Sequence, residues 1–112
     1  MAEVTRRGIV YAGFTHGAGT AKAVKAAKTG YRVNLLGLYL TAASAVNITI
    51  EDTAGTNLSE ILQFTASNLH ISMPFTGQPW AASTDDLGLQ ILLSGAVVVA
   101  GIVIYEQETV DV

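Results

Sequence analysis

The stretch LGLQILLSGAVVVAGIVIY, residues 87–105, decides the fold. Its nineteen residues carry no charge, and only Gln90, Ser94 and Tyr105 are polar. A run of this length and hydropathy predicts either a membrane-spanning helix or the buried strands of a β-sandwich. The choice between these two structures determines what kind of protein the chain is.

Three features of the stretch favour strands over a helix. Gly88, Gly95 and Gly101 each weaken a helix, and the central Ser94-Gly95 pair is typical of a turn. The second half is rich in β-branched residues, which lose side-chain freedom in a helix and suit a strand. The flanking charges are acidic, whereas a membrane span usually carries Lys or Arg at its cytoplasmic end. We therefore predict a buried hairpin with its turn at Ser94-Gly95, and not a membrane protein.

The composition indicates one small domain with more apolar residues than its own core needs. The chain has 112 residues, of which half are apolar and 13% are charged, and it has no cysteine. A domain of this length buries a core without disulfides or metal. The lack of cysteine excludes a zinc–thiolate site and leaves the redox compartment open. The apolar surplus predicts surface that other subunits cover. Because no long apolar run closely follows the N-terminus, we expect no signal peptide.

The charges are unevenly distributed along the chain. All six basic residues lie in the first 32 positions, with a net charge of +5, whereas residues 33–112 hold eight acids and no base, a net charge of −8. Two interpretations stay open: the bases contact an acidic partner, or they guard a strand edge against aggregation. Nucleic acid is disfavoured as a partner, because no aromatics are interspersed and the acids repel phosphate. The predicted contact residues are Arg6, Arg7, Lys22, Lys25 and Lys28.

The remaining sequence predicts an all-β protein. Residues 1–20 are interpreted as an N-terminal arm with one short strand, and residues 21–106 as the sandwich domain. Residues 21–28 fit a helix or a strand, and we prefer a strand that leads into a hairpin. Alternation of apolar and polar residues predicts further strands over 31–41, 46–51 and 69–73, with β-strand 31–41 buried on both faces. Residues 58–65 fit a helix or a strand, and we prefer a strand with an irregular start because the elements on both sides are strands.

These elements add up to an antiparallel β-sandwich of seven or eight short strands, with turn signals about every ten residues. An acidic tail is predicted over residues 107–112. The residues expected in the core include Leu36, Leu38, Val99 and Val103.

The sequence contains no catalytic or metal-binding pattern. His16 and His70 have no acid or histidine at ligand spacing, so both are interpreted as surface histidines. Ser94 lacks the Gly-x-Ser-x-Gly context of a nucleophile, and no phosphate-binding loop pattern is complete. The acid pairs Glu51-Asp52 and Asp85-Asp86 are interpreted as solvated turns. We therefore expect no enzymatic activity, no metal and no cofactor.

The only tryptophan, Trp80, lies in a long loop predicted over residues 75–86. A tryptophan in such a loop most often plugs one open end of a sandwich, because a large ring fills the space where strands diverge. Its alternative role is contact with a partner or ligand.

The order of these elements carries a resemblance. It consists of the Lys-Thr-Gly turn at 28–30, YRVNLL at 31–36, VNITI at 46–50, Met73-Pro74-Phe75 with Gly77 and Trp80, and GIVIY at 101–105 after a Ser-Gly turn. Over residues 21–106 this pattern resembles the small β-sandwich capsid decoration, or cement, proteins of tailed bacteriophages.

The resemblance implies a jelly-roll-like sandwich that binds the outer capsid surface of the virion as a homo-oligomer, commonly a trimer. The implied partner is the major capsid protein, whose subunit contacts such a protein stabilises. A second hypothesis is a head-fibre or tail-associated module that binds a receptor or carbohydrate. In that case Trp80 and Tyr39 would serve as stacking platforms.

Overall fold

Two antiparallel sheets that face each other make up the structure. The computed structural model describes residues 3–6, 8–65, 69–76 and 78–110. Sheet A contains β1 (Glu3–Arg6), β2 (Ile9–His16), β4 (Tyr31–Ala42), β7 (Leu69–Met73), β8 (Ala81–Ala82) and β10 (Val99–Thr109), and sheet B contains β3 (Ala21–Lys25), β5 (Val46–Asp52), β6 (Leu62–Phe64) and β9 (Leu89–Leu93).

The order of the strands is that of a jelly roll. Sheet A has the order β1-β2-β10-β4-β7, with β8 beside β4, and sheet B has the order β3-β9-β5-β6. Along the chain, β2 pairs with β10, β3 with β9, β4 with β7, and β5 with β6. The eight strands therefore form one long hairpin that is rolled into two facing sheets. The predicted antiparallel sandwich is confirmed, and β1 and β8 are short additions to it.

The predicted hairpin within residues 87–105 is wrong in its pairing. Both halves are strands, but β9 pairs with β3 and β5, whereas β10 pairs with β2 and β4. Residues 94–98 thus cross between the sheets, a separation of ~10 Å. Gly95 does not have the positive φ that tight hairpin turns require. Both arrangements bury the same alternate residues, so hydropathy does not distinguish them.

The described ranges contain no helix long and apolar enough to cross a membrane.

A bulge in β4 sets which of its side chains face the core. Tyr105 of β10 pairs with Leu35, and Ile104 pairs with Gly37, so Leu36 is an extra residue in β4. Each buried Leu, Ile or Val side chain stabilises the fold by about 1.5–3 kcal/mol relative to exposure. The predicted core residues Leu36, Leu38, Val99 and Val103 are all buried, and sheet B contributes Ile48, Ile50, Leu89, Ile91 and Leu93.

Much of the predicted N-terminal arm is a strand of sheet A. β2 lies between β1 and β10, and its residues Val10, Ala12 and Phe14 are buried. Alanine and glycine within β2 weakened its signal in the sequence. At the other end of the chain, β10 continues to Thr109, inside the predicted tail.

The strand predicted over residues 21–28 is confirmed as β3, but it forms no hairpin with β4. β3 belongs to sheet B and β4 to sheet A, so the connection between them also crosses the sandwich. The predicted Lys-Thr-Gly turn lies in this connection. Tyr31 N donates to Lys28 O at 3.2 Å, and Gly30 has a φ of 88°, which a side chain would oppose.

Gly101 is a position where a side chain should disturb the sheet. An added Cβ would overlap the Tyr39 carbonyl oxygen and lie 2.7 Å from Leu40 Cα. We expect Gly101→Ala to lower the free energy of unfolding by about 1–3 kcal/mol, because the backbone of β4 must move. As a control, Gly95→Ala adds a Cβ with nothing within 4 Å and should be neutral or slightly stabilising. Urea unfolding measures both, and equal midpoints would contradict the prediction.

Candidate functional site

The outer face of sheet A carries exposed apolar side chains on its central strands. Tyr11 of β2, Tyr39 of β4 and Ile102 of β10 are 39%, 46% and 46% exposed. The register places Tyr11 beside Ile104, and Ile102 beside Tyr39. These side chains point away from the core, since the intervening Val103 is buried. We call Tyr11, Tyr39, Ile102 and Ile104 the tyrosine face.

Two glycines contribute to the exposure of the tyrosine face. Gly13 pairs with Ile102, and Gly37 pairs with Ile104. A Cβ at Gly37 would lie 3.0 Å from Ile104 Cδ1, so this isoleucine leans over the glycine. Because neither glycine has a side chain, nothing at these two positions shields the neighbouring isoleucines.

The sequence prediction that β4 is buried on both faces is wrong at Tyr39. The inner residues Leu38 and Leu40 are buried, but the described residues provide no third layer over the outer face. The signal available in the sequence was a strand with two apolar faces in a chain too short for three layers. That combination is compatible with an exposed apolar surface and with a strand buried on both faces, and it does not distinguish them.

A polar network closes one end of the same outer face. Arg32 Nη2 donates to Glu108 Oε1 at 2.7 Å, and Asn34 Nδ2 donates to Glu108 Oε2 at 2.8 Å and to Glu106 Oε1 at 3.2 Å. The hydrogen bond from Arg32, together with that from Asn34, holds the pKa of Glu108 below its ordinary value. The ion pair is exposed and adds little stability, so its main effect is to give the tyrosine face a polar border.

A cleft of about 220 Å³ opens between the two sheets beside Trp80. Trp80 is 49% exposed, and its Nε1 donates to Pro74 O at 3.0 Å. The predicted role as a buried plug is therefore only partly met, because half of the residue remains in solvent. The other apolar residues that line the cleft are Leu35, Ile50, Leu58, Leu62, Met73 and Ala81.

Trp80 and Tyr39 do not form one stacking platform. Trp80 lines the cleft together with the core residue Leu35, whereas Tyr39 lies on the outer face of sheet A beside Ile102 and Ser72. A carbohydrate could therefore stack on one of these two rings but not on both together.

The predicted contact lysines lie along one edge of sheet B. Lys22 and Lys25 belong to β3, and Lys28 lies in the loop after it. Lys25 is half-buried at the register position of Leu89, and Lys28 Nζ lies 4.4 Å from the centre of the Tyr31 ring. Of the two predicted arginines, Arg6 is described only by its backbone, which pairs with Ile9, and Arg7 lies outside the described residues, as does Gly77.

Lys22 has a structural contact of its own. Its Nζ donates to the carbonyl oxygen of Thr15 at 2.6 Å. Thr15 lies in the part of β2 beyond the residues that β1 pairs with, which end at Ala12. The ammonium group thus reaches across from sheet B to an edge carbonyl of sheet A. This contact fits the interpretation of a lysine that guards a strand edge.

The two histidines have different environments. His16 is 5% exposed, and its Nε2 lies 2.6 Å from Thr20 O, so the predicted surface position is wrong for this residue. It is the last residue of β2. His70 is exposed as predicted, and its ring lies 6.0 Å from that of Tyr39.

The acid pair Glu51-Asp52 is buried, which corrects its interpretation as a solvated turn. Asp52 Oδ1 accepts from the backbone N–H groups of Ala54 and Thr56, each at 3.0 Å, and Oδ2 accepts from Thr84 Oγ1 at 2.9 Å. Burial acts to raise the pKa of Asp52, but these hydrogen bonds outweigh it and hold the pKa below its ordinary value. The carboxylate therefore ties the turn after β5 to the segment before β9.

Asp52 should make stability depend on pH. The pKa of Asp52 is lower in the folded state than in the unfolded state. Its contribution to the free energy of unfolding is therefore fully present above the unfolded pKa of ~4 and is lost as the pH falls through the folded pKa. We expect Asp52→Asn to lower the free energy of unfolding by about 1–3 kcal/mol at neutral pH, with a smaller difference in acid.

Urea unfolding of both proteins between about pH 7 and pH 2 checks this, on either side of the ordinary carboxyl pKa. The exposed Asp85→Asn serves as the matched control and should change stability little. A difference for Asp52→Asn that stays constant over the whole pH range would show that the carboxylate charge is not responsible.

Comparison with protein-family models and with curated proteins finds no match to this chain. Within the described ranges, no three His, Cys, Asp or Glu side chains converge in a way that could hold a metal ion. The tyrosine face is the largest group of exposed apolar side chains on adjacent strands of the described structure, and it is the candidate functional site.

Proposed function

We propose that this chain is a structural binding protein of a virus particle, namely a capsid decoration or cement protein of a tailed bacteriophage. The observation that carries the proposal is the tyrosine face. Exposed apolar side chains grouped on a small protein mark a contact with another macromolecule, and tyrosine is enriched at such contacts. The jelly-roll order of the strands agrees with what the resemblance implies for the fold.

The proposed partner is the major capsid protein on the outer surface of the assembled shell. A protein that binds the assembled shell, and not its separated subunits, stabilises the shell by mass action, because opening must first break these contacts. Copies in register, as a homo-oligomer, add avidity. The proposed location is the virion exterior, after synthesis in the host cytoplasm.

The size of the tyrosine face fits the centre of a contact rather than a whole one. An aromatic side chain has on the order of 200 Å² of surface, so Tyr11, Tyr39 and Ile102 together expose on the order of 250 Å². At ~25 cal/mol/Å², burial of this area contributes about 6 kcal/mol to the free energy of binding, before the entropic cost of association is subtracted. A standard interface covers ~800 Å² per partner. Tight binding therefore needs a polar rim and several copies.

The tyrosine face should be required for binding to shells. We expect Ile102→Lys to weaken co-sedimentation with purified shells that lack this protein by at least tenfold, because a charge enters the apolar centre of the contact. Val98→Lys is the matched control: Val98 is a similarly exposed β-branched residue, 53% against 46%, outside the tyrosine face in the crossing of residues 94–98. Equal binding by the two variants would exclude the tyrosine face as the contact.

The basic residues should add an electrostatic component. We expect Arg6→Glu with Arg7→Glu and Lys25→Glu to weaken shell binding and to reduce its sensitivity to salt. Lys22 is left unchanged because its contact with Thr15 is structural. Unchanged binding across a range of salt concentrations would remove these residues from the contact.

Binding to host cells or glycans, in place of shells, would support the receptor-binding hypothesis. The same variants distinguish the two functions, because Ile102→Lys should leave a site at Trp80 unaffected. Trp80→Ala is the corresponding variant for the cleft.

A further inference from the structure

β7 is an edge strand of sheet A. It pairs with β4 through Leu69–Met73, and no other described strand or backbone group pairs with its outer side. An edge strand directs alternate N–H and C=O groups outward, where they can pair with another extended chain. The outer side of β7 therefore offers a ladder of backbone hydrogen bonds to a partner.

The edge strands on the two sides of the sandwich differ in charge. On one side, β3 carries Lys22 and Lys25, and Lys22 occupies the edge carbonyl of Thr15. On the other side, β7 has the sequence LHISM, with no Lys, Arg, Asp, Glu or Pro. Proteins that keep an edge free usually place charges or proline on it. The uncharged edge of β7 has the features of one that a partner covers.

The sequence of β7 is complementary to itself. It reads apolar, polar, apolar, polar, apolar in either direction, with Ile71 at the centre. In an antiparallel pair of two β7 strands, Ile71 lies opposite Ile71 of the partner subunit, and His70 lies opposite Ser72 of the partner subunit. Apolar residues then meet apolar ones and polar residues meet polar ones, with no like charges opposed.

We infer that β7 pairs with β7 of a second copy about a two-fold axis through Ile71, which joins the two copies of sheet A into one continuous sheet. The unpaired backbone fits an extended polypeptide as the occupant, and the symmetric, uncharged pattern of β7 favours a second copy of this chain.

Burial beside the axis supports this pairing. Ile71 and Met73 face the inner side of sheet A, because they share the register of Leu40 and Leu38, yet both are only half-buried. A groove between the edges of the two sheets runs along β7; its apolar lining residues are Ile61, Leu62, Phe64 and Ile71, and its polar ones are Gln63 and His70. A second copy on β7 would cover the exposed part of these apolar side chains.

The size of the edge predicts a weak association. Five residues give a ladder ~17 Å long, and the molecule is 23 Å across in its shortest dimension. The contact area along β7 is therefore on the order of 400 Å² per copy. This is about half of a standard interface, and we expect dissociation in the micromolar range.

The dimer would place two tyrosine faces on one surface. Tyr39 shares a register position with Ser72, so it lies one strand from the axis on the outer face. The two outer faces would then continue across the joined sheet and bind a repeated partner bivalently. The dimer itself does not depend on the proposed function, and its two-fold symmetry differs from the trimer that the resemblance implies.

The test is the mass of the full chain by analytical ultracentrifugation between about 5 and 200 µM, the range expected for so small an interface. We expect a monomer–dimer equilibrium. Ile71→Lys and Ile71→Glu, each alone, should shift it to monomer by at least tenfold, because like charges meet at the axis. An equimolar mixture of these two variants should restore the dimer. Ala23→Lys, on the opposite edge strand β3, is the control and should leave the equilibrium unchanged.

The outcomes separate the possibilities. A monomer at the highest concentration, a trimer, or a dimer that survives Ile71→Lys each overturns the inference. Recovery of the dimer in the mixture shows that both variants fold. The exposed His70→Lys is a second test on the same strand: it should also weaken the dimer, because it places two lysines close to the axis. Shell binding by Ile102→Lys is a separate readout, so failure of the dimer and failure of the proposed function are distinguishable.

Discussion

The common core of β9 and β10 is the contact on which the rest of the structure depends. These strands are consecutive in the chain but belong to different sheets, and their inward residues, including Leu89, Ile91, Val99 and Val103, are buried in one cluster. Each strand is also an inner member of its sheet, with a neighbour on both sides. The cluster that both strands share therefore holds the sheets face to face, and burial of apolar surface supplies the main driving force.

That packing leaves sheet A with one face inside and one outside. The inner face takes the alternate residues of β2, β4 and β10, and the outer face is left with Tyr11, Tyr39 and Ile102 exposed. A larger protein would cover such a face with a third layer. The described residues of this chain form only two sheets, so the exposed apolar face is a direct consequence of its size and strand order.

Polar contacts determine how the loops and the edge strand β3 join this framework. Asp52 binds two backbone N–H groups of its own turn and the hydroxyl of Thr84, and Lys22 connects β3 to Thr15 on the other sheet. In the sequence, Asp52 is an ordinary acid next to a glycine turn, and Lys22 is one of several lysines. The turn at Asp52 is local, because Ala54 and Thr56 follow within four residues. The contacts of Asp52 with Thr84 and of Lys22 with Thr15 were not predictable, because each joins residues at least seven positions apart in the chain.

The sequence by itself determined the all-β class, the alternation that gives most strands, the end of β7 at Pro74 and the burial of the C-terminal stretch, because these follow from local hydropathy, β-branching and turn residues. The tertiary structure decided that β9 and β10 lie in different sheets, that β2 belongs to sheet A, and that Tyr39 is exposed. Strand pairing joins residues far apart in the chain. Alternation of apolar and polar residues shows which side chains of a strand share a face, but it does not show which strands are neighbours in the sheet.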